Sequence, residues 1–173
     1  MLKSQTGKKL LLLAVSTAFC LLGMEFVLRF VFPIRVTTIG LRDAPKAARY
    51  GWALNPHQLI KILDPDTGVV YTDYANSEGW RDRERSLQRR PNTLRILVLG
   101  DSVTYGAIVG QADTYTAILE RKLRAHGVDA EVINISYGGW GADQELEALS
   151  LEGLAYKPDL VILQFCTNDP SDV

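Results

Sequence analysis

Three residues able to take part in chemistry follow three aliphatic runs of the sequence at similar distances. Ser102 and Asn168 each lie three residues beyond the end of such a run, and Gly139 lies four residues beyond the end of another, in the loop SYGGWG. A hydroxyl, a backbone N–H in a flexible loop and a carboxamide form a set of groups suited to a developing oxyanion. Their use depends on whether the fold brings them to one place.

The order of the predicted elements places these residues at one edge of a sheet. The pattern is strand, helix, strand, helix, strand, with short links: LRILVL (94–99), TYTAILERKLRAH (114–126), AEVINI (130–135), DQELEALSLEGLA (143–155) and DLVILQF (159–165). This order implies right-handed crossovers and a parallel sheet covered by helices on both faces, a three-layer α/β/α fold. In such sheets, ligand chemistry gathers just beyond the carboxyl ends of the strands. Asp113 is the predicted N-cap of the first helix, and Gly127 the residue that follows its end.

The residues around Ser102 predict a sharp turn from a strand into a helix. Gly100 is expected to let the chain turn, so that Ser102 opens the helix with its hydroxyl exposed and its N–H at the positive helix end. Asp101 is expected to hold this loop. Each residue also has a plainer interpretation: Ser102 and Asn168 as helix caps, and Gly139 as a turn glycine.

Other motif classes fit this loop poorly. No Lys-Ser/Thr pair follows Gly106, so the loop is not a phosphate cradle. Thr104 stands where a Gly-x-Ser-x-Gly elbow needs its second glycine. Cys20 lies in the apolar N-terminal run and Cys166 at the end of a predicted strand, so neither a disulfide framework nor metal spacing is present. The sequence predicts neither a metal nor a cofactor.

At these residues the sequence resembles the SGNH (GDSL-type) hydrolase family. Gly100-Asp101-Ser102 matches the first family block, residues 134–139 match the second, and Asn168-Asp169 matches the third. A single block is weak evidence, but three blocks in order, each at a predicted strand end, are specific. The resemblance covers about residues 68 to 173. The stretch ANSEGWRD (75–82) also resembles a lead-in found in membrane-anchored members of this family.

The resemblance implies a serine esterase that cleaves carboxylic esters through an acyl-enzyme. By this resemblance Ser102 is the nucleophile, and its N–H, the Gly139 N–H and the Asn168 side chain form the oxyanion hole. Gly100, Asp101 and Asp169 support the site. The substrate would be an ester or an acylated glycan or lipid. Two alternatives remain: an O-acyl transferase that passes the acyl group to a cell-surface polysaccharide, and a binding module that keeps the fold without chemistry.

The general base is a departure from the family pattern. The family supplies it from an Asp-x-x-His motif, and the sequence up to Val173 contains none. His57 lies in a proline-broken region and His126 ends a predicted helix, so both are expected at the surface. We therefore expect a longer gene product that carries the motif beyond Val173. The 173-residue chain itself is expected to hold an incomplete sheet and to be inactive.

The N-terminal region predicts a membrane anchor. Lysines at positions 3, 8 and 9 precede an apolar run over residues 10–32, whose 23 residues span about 34 Å as a helix. We favour an uncleaved single-pass anchor over a cleaved signal peptide, because no small-x-small site follows the run. The lysines place the N-terminus (1–9) inside, so that everything from about residue 40 is extracytoplasmic.

The remaining residues divide into a connecting region and the domain proper. Residues 33–93 are predicted as a proline-rich connection with one short strand, GVVYTDY (68–74), and residues 94–173 as the N-terminal part of the hydrolase domain. The stretch RDRERSLQRR (81–90) holds five arginines and two acids and is interpreted as a solvated segment that leads into the domain. The formal net charge of −1 gives no reason to expect a nucleic-acid partner.

Overall fold

The structure of the chain is a computed structural model that describes residues 2–30 and 44–167. It divides into two compact units, Met1–Val36 and Thr37–Val173. In chain order the elements are α1 (Leu2–Phe30), α2 (Ala47–Tyr50), β1 (Leu59–Leu63), β2 (Val70–Tyr74), β3 (Leu94–Gly100), α3 (Ser102–Tyr105), α4 (Tyr115–Ala125), β4 (Ala130–Ser136), α5 (Ala142–Leu151) and β5 (Leu160–Leu163). Two short 3-10 turns cover Gln111–Asp113 and Gly153–Tyr156.

The central sheet of the second unit is parallel, as the sequence predicts. Over the described residues its strand order is β4-β3-β5, with β3 in the middle. Leu94 pairs with Ala130 at one end of β3 and Gly100 with Ser136 at the other, while Leu99 pairs with Leu163. All three strands therefore end at the same edge. β5 is shorter than the predicted run 159–165.

Alternate residues of the strands face two different helices. Ile96 and Val98 pack with Val132 against Leu119 and Leu123 of α4. Leu97, Leu99, Ile133 and Ile135 belong to a second cluster, which holds Ala148 of α5. Because successive side chains of a strand point to opposite faces, α4 and α5 cover opposite faces of the sheet. The sheet between α4 and α5 confirms the predicted three-layer α/β/α arrangement.

The region before β3, residues 44–93 and called the lead-in below, packs into the same core. The predicted strand is present as β2, and a second strand, β1, pairs with it antiparallel to form a hairpin. The cluster on the α5 face of the sheet includes apolar side chains from this region: Tyr50, Leu54, Ile60, Ile62, Ala75 and Trp80. The lead-in is thus one structural unit with the sheet.

The arginine-rich stretch is solvated over most of its length, with residues 83, 84 and 86–90 exposed, but that interpretation is wrong for Arg81 and Arg85. The Arg81 side chain is 1% exposed and that of Arg85 6%. Arg85 is paired with Asp82 and Glu120, which satisfy its charge inside the protein. Interleaved charges in a sequence are typical of a solvated segment. The pattern does not indicate ion pairs with residues that are dozens of positions away in the chain.

A further buried arginine joins this lead-in to the sheet. Arg95 of β3 donates to the carbonyls of Ser86 (2.6 Å), Gln88 (3.1 Å) and Tyr156 (2.7 Å). Its Nε donates to Glu131 of β4 at 2.8 Å. A buried guanidinium is tolerable only when its donors are satisfied, and here backbone and carboxylate acceptors satisfy them.

The helix boundaries differ from the predicted ones in small ways. The N-cap of α4 is Thr114, not Asp113, and its hydroxyl accepts from the Ala117 N–H at 3.3 Å. The predicted residue after this helix is confirmed, since Gly127 has φ +82°. α5 ends at Leu151, and the remainder of the predicted helix is the 3-10 turn Gly153–Tyr156.

The carboxylate of Asp159 at the start of β5 predicts an acid-sensitive contribution to stability. A hydrogen bond from the Arg95 N–H (2.8 Å), and then the Arg89 guanidinium, hold the pKa of Asp159 below its ordinary value of 3.8. Because the pKa of Asp159 is lower in the folded state than in the unfolded state, its ionised carboxylate stabilises the protein above the ordinary value of 3.8. This contribution is lost as the pH falls through the folded-state pKa. We expect Asp159→Asn to be less stable than the parent at pH 7, and the difference to shrink by pH 3.

Urea unfolding of parent and variant at both pH values measures this difference. Asp66→Asn, at an exposed aspartate, is the control and should not change the pH dependence. A deficit of Asp159→Asn that is equally large at pH 3 and pH 7 would contradict the assignment.

The first unit is the helix α1. It begins at Leu2 rather than at the predicted residue 10, so Lys8 and Lys9 are part of it. Its segment Gly7–Leu28 is long and apolar enough to cross a membrane. A signal sequence near the N-terminus meets the same criteria of length and apolar composition, so the helix alone does not separate the two interpretations.

Several apolar side chains of β5 and the residues after it are exposed. They are Leu160, Val161, Leu163 and Phe165, each more than a third exposed. Within the described residues β5 pairs with β3 alone. Because Leu160 and Val161 are neighbours in the strand, β5 exposes apolar side chains on both faces of the sheet.

Candidate active site

The carboxyl ends of the three parallel strands bring Ser102 and the Gly138–Gly139 loop together. β3 and β4 end side by side at Gly100 and Ser136. A Cβ placed on Gly138 would lie 3.9 Å from the Cβ of Ser102. The end of β5 lies on the other side of β3, where the Gln164 N–H donates to the Leu99 carbonyl at 2.9 Å.

Gly100 is required for space and not for an unusual backbone conformation. Its φ lies outside the left-handed region, but a Cβ there would meet the Oγ1 of Thr104 at 2.1 Å. That hydroxyl bridges Tyr115 (2.9 Å) and Gln164 (3.1 Å). The absence of a side chain at Gly100 lets α3 start directly against the end of β3.

This close approach predicts the effect of adding one methyl group. Gly100→Ala must displace the Thr104 side chain or α3, and we expect a loss of about 1–3 kcal/mol in the free energy of unfolding. Gly138→Ala at the same edge is the matched control, because its Cβ would meet only an ordinary contact at 3.9 Å. Urea denaturation of both variants checks this, and equal stability of the two would show that the Gly100 contact is not restrictive.

Asp101 and Ser102 form the start of α3. The Asp101 carboxylate is buried and accepts from the Val103 N–H at 3.0 Å, so Asp101 is the N-cap of this helix. Ser102 is its first residue, partly exposed, with its hydroxyl 3.3 Å from the Asp101 carboxylate. The helix has only four residues, so its dipole is small. An oxyanion at this position would be stabilised by direct hydrogen bonds rather than by the helix dipole predicted from sequence.

Gly139 lies in a loop whose orientation is set by a residue from the lead-in. Its φ is +79°, a conformation that favours glycine. Trp52 donates its indole N–H to the Gly138 carbonyl at 3.1 Å. In a planar trans peptide the carbonyl and the following N–H point in opposite directions, so this bond also fixes the direction of the Gly139 N–H. The sequence offered no signal for this role of Trp52.

Asn134, the first residue of the stretch 134–139 that contains Gly139, links β4 to neighbouring elements. The Asn134 carboxamide is buried and donates to the Thr104 carbonyl at 2.8 Å and to the Thr116 hydroxyl at 3.2 Å. The Asn134 N–H donates to the buried carboxylate of Asp82 at 3.1 Å, and burial raises the pKa of that carboxyl. Asn134 thereby joins β4 to α3, a role that sequence reasoning did not assign.

Asn168 and Asp169 lie outside the described residues. Among the described residues after β5, Gln164 contacts this edge, because its side-chain oxygen accepts a hydrogen bond from the Thr104 hydroxyl at 3.1 Å. The predicted roles of Asn168 and Asp169 remain predictions.

Both histidines lie outside the elements that form this edge. His126 is the C-cap residue of α4, which leads into the start of β4 and therefore lies at the opposite end of the sheet. His57 lies in the turn before β1 with φ +58°. Both side chains are exposed, as the sequence predicts. Burial raises the pKa of the nearby Tyr105 phenol to about 12, so that phenol stays neutral and is a poor base.

The described residues hold no cluster of three or more His, Cys, Asp or Glu side chains arranged for a metal ion. A cavity of about 310 Å³ lies between the arginine-rich stretch and α4, away from Ser102 and Gly139. The charges that line it are already paired, for example Arg85 and Arg124 with Glu120. We regard it as part of the ion-pair network of the lead-in.

Comparison with solved structures finds two partial matches. Two solved structures resemble the chain at 31% sequence identity and a TM-score of 0.41: AlinE4, described as an SGNH-hydrolase family esterase, and a mutant of the same esterase. Each match covers 47% of this chain, and the chain spans only 44% of the length of those proteins. No curated protein matches the chain.

A family comparison covers the segment that contains the site. Residues 98–172 match the GDSL-like lipase/acylhydrolase family. The matched segment begins within β3 and includes Ser102, Gly139 and Asn168. Residues 98–172, somewhat less than half of the chain, are thus similar to the GDSL-like lipase/acylhydrolase family.

Proposed function

We propose that the protein is a serine esterase that hydrolyses carboxylic esters through an acyl-enzyme. The observation that carries this proposal is the position of Ser102. It begins a short helix at the end of the central strand and lies beside the Gly138–Gly139 loop. The match of residues 98–172 to a family of lipases and acylhydrolases supports the same reaction class.

In the proposed reaction, the Ser102 hydroxyl attacks the ester carbonyl carbon while a general base takes its proton. The carbonyl oxygen becomes an oxyanion, and the N–H groups of Ser102 and Gly139 together with the Asn168 carboxamide stabilise it. Collapse of this intermediate breaks the bond to the alcohol, which leaves with the proton. Water then attacks the acyl-enzyme in the same way and releases the acid and free Ser102.

We propose that the base of this mechanism is neither His57 nor His126, because His57 lies in the turn before β1 and His126 at the end of α4, outside the elements that form the strand-end edge. We propose that another part of the intact protein supplies it. A serine hydroxyl is a weak nucleophile at neutral pH without such a base.

We also propose that α1 is an uncleaved anchor and that the hydrolase unit is extracytoplasmic. The length and apolar character of Gly7–Leu28 support a membrane span. Lys3 before the span and Lys8 and Lys9 at its beginning support a cytoplasmic N-terminus. Ester substrates on lipids or surface glycans would then be within reach of the site.

Covalent labelling of the full-length protein tests this proposal. A serine-directed phosphonate should attach to the peptide that contains Ser102, and the labelled protein should stay in carbonate-washed membranes. Release of acid from a model ester without any glycan acceptor supports hydrolysis. Dependence on a sugar hydroxyl would instead identify an acyl transferase, and neither label nor turnover would identify a binding module.

A further inference from the structure

Arg81 of the lead-in lies against the C-terminal end of the helix that begins with Ser102. Its guanidinium is buried and donates to the carbonyls of Tyr105, Gly106 (2.8 Å) and Val109 (2.6 Å). It also lies 5.1 Å from the centre of the Tyr105 ring. Three carbonyls at the end of α3 and in the following turn thus converge on one planar donor group.

The Nη2 atom of Arg81, which donates to the Val109 carbonyl, is also held by a carboxylate of the hairpin. Asp73 of β2 accepts from Arg81 at 2.6 Å. The same carboxylate oxygen accepts from the Gln111 N–H at 3.0 Å. The segment between α3 and α4 is therefore fixed at both ends by this ion pair.

The turn that precedes Arg81 fixes the position of its backbone. The Asn76 carboxamide accepts from the Trp80 N–H at 2.9 Å. Gly79 has φ +80°, and a Cβ there would meet the Leu54 carbonyl at 2.7 Å. Trp80 is buried in the main core. The sequence ANSEGWRD thus forms a rigid turn that delivers Arg81 to α3.

The helix α3 depends on such outside contacts because it has a single turn. Its own backbone bonds join the Tyr105 N–H to Asp101 (2.9 Å) and the Gly106 N–H to Ser102 (3.0 Å). Asp101 caps its beginning, and Arg81 satisfies the carbonyls of Tyr105 and Gly106 at its end. A shift at Gly106 is transmitted to Ser102 because the N–H groups of Gly106 and Ala107 both donate to the Ser102 carbonyl at 3.0 Å.

We propose that Arg81 is a positioning residue that sets the orientation of Ser102 for attack. This inference rests on the proposed function, in which Ser102 is the nucleophile. Arg81 does not touch the reacting atoms and acts through α3. A displacement of about 1 Å in a reacting group can reduce the rate about 100-fold, so a small movement of this helix is sufficient.

The test compares variants of the full-length protein in their reaction with a serine-directed phosphonate. The maximal labelling rate reports the orientation of the serine, and the half-saturating concentration reports probe binding. We expect Arg81→Met to lower the maximal rate about 10- to 100-fold with little change in half-saturation. Arg81→Lys should lie between, because an ammonium cannot bond three carbonyls in the geometry of a planar guanidinium.

Arg90→Met is the matched control. Arg90 is exposed, and its ion pairs with Asp129 and Glu131 lie away from α3. This variant should react like the parent. If Arg81→Met fails to fold, Asp73→Asn is a milder change, because it weakens the ion pair with Arg81 and leaves the bonds from Arg81 to the carbonyls in place. The labelling rate of Asp73→Asn should fall less than the rate expected for Arg81→Met.

The outcomes separate positioning from stability. A lower melting temperature with an unchanged labelling rate in the folded fraction would overturn the proposal and leave Arg81 a structural residue. Labelling that persists in Ser102→Ala would overturn the proposed function itself, whatever the behaviour of the Arg81 variants.

Discussion

Replacement of Ser102 by alanine in the full-length protein is expected to lower turnover about 10⁴-fold or more. The same change should abolish labelling by a serine-directed phosphonate. The physical reason is the loss of the attacking oxygen at the point where α3 begins, beside the Gly138–Gly139 loop. In the variant, water must attack the bound ester directly. This reaction is accelerated only by the oxyanion donors and by substrate binding.

Two comparisons make this result specific. Ser150→Ala is the control, because Ser150 is an exposed residue of α5 bonded only to its own helix, at 2.8 Å to the Leu146 carbonyl. It should retain full turnover. Asn168→Ala should lose about 10²–10³ in turnover with an unchanged Michaelis constant, since it removes one oxyanion donor of three. Undiminished labelling of Ser102→Ala would show that another residue is the nucleophile.

A chain that begins at Leu94 is expected not to fold, although it contains every predicted strand of the sheet. Deletion of the preceding region removes six buried apolar side chains from the main core: Tyr50, Leu54, Ile60, Ile62, Ala75 and Trp80. Burial of a large apolar side chain contributes about 1.5–3 kcal/mol, and a domain is stable by about 5–15 kcal/mol in total. The loss therefore approaches the whole stability of the unit.

The deletion also disrupts the surroundings of Arg95. Three of its carbonyl acceptors belong to residues 86–88, and without them a buried guanidinium is left partly unsatisfied. Uncompensated buried charge is strongly destabilising.

The comparison is between chains that begin at Thr37 and at Leu94. Both end at Val173, and both carry the same exposed face of β5. The longer chain should show a cooperative urea transition with near-ultraviolet circular dichroism, and the shorter chain should show neither. A cooperative transition of similar midpoint in the shorter chain would mean that the lead-in is dispensable.

The sequence predicted the parts of the fold that depend on local patterns. Aliphatic runs separated by amphipathic helices require a parallel sheet with helices on both faces, and α4 and α5 lie there. The position of Ser102 beyond β3 follows from the same topology. Its catalytic role is still a prediction, as are the roles of Gly139 and Asn168.

The contacts made by the lead-in were beyond sequence reasoning, because they join residues far apart in the chain. Arg81 and Arg85 lie in a run of alternating charges, which is typical of solvated segments, yet both are buried. Their acceptors are carbonyls and carboxylates that become neighbours only after folding. Trp52 is a similar case, since its bond to Gly138 spans 86 positions of the chain.

The central position of β3 has a consequence for how the protein emerges from the ribosome. β3 is complete at Gly100, but its partner β5 ends at Leu163. At a synthesis rate of about 5–20 residues per second, roughly 3–13 s pass between these two points. During that time an aliphatic strand has one unpaired edge, and unpaired edges of this kind promote association between nascent chains. The protein is therefore expected to depend on chaperones during synthesis more than a protein with local contacts does.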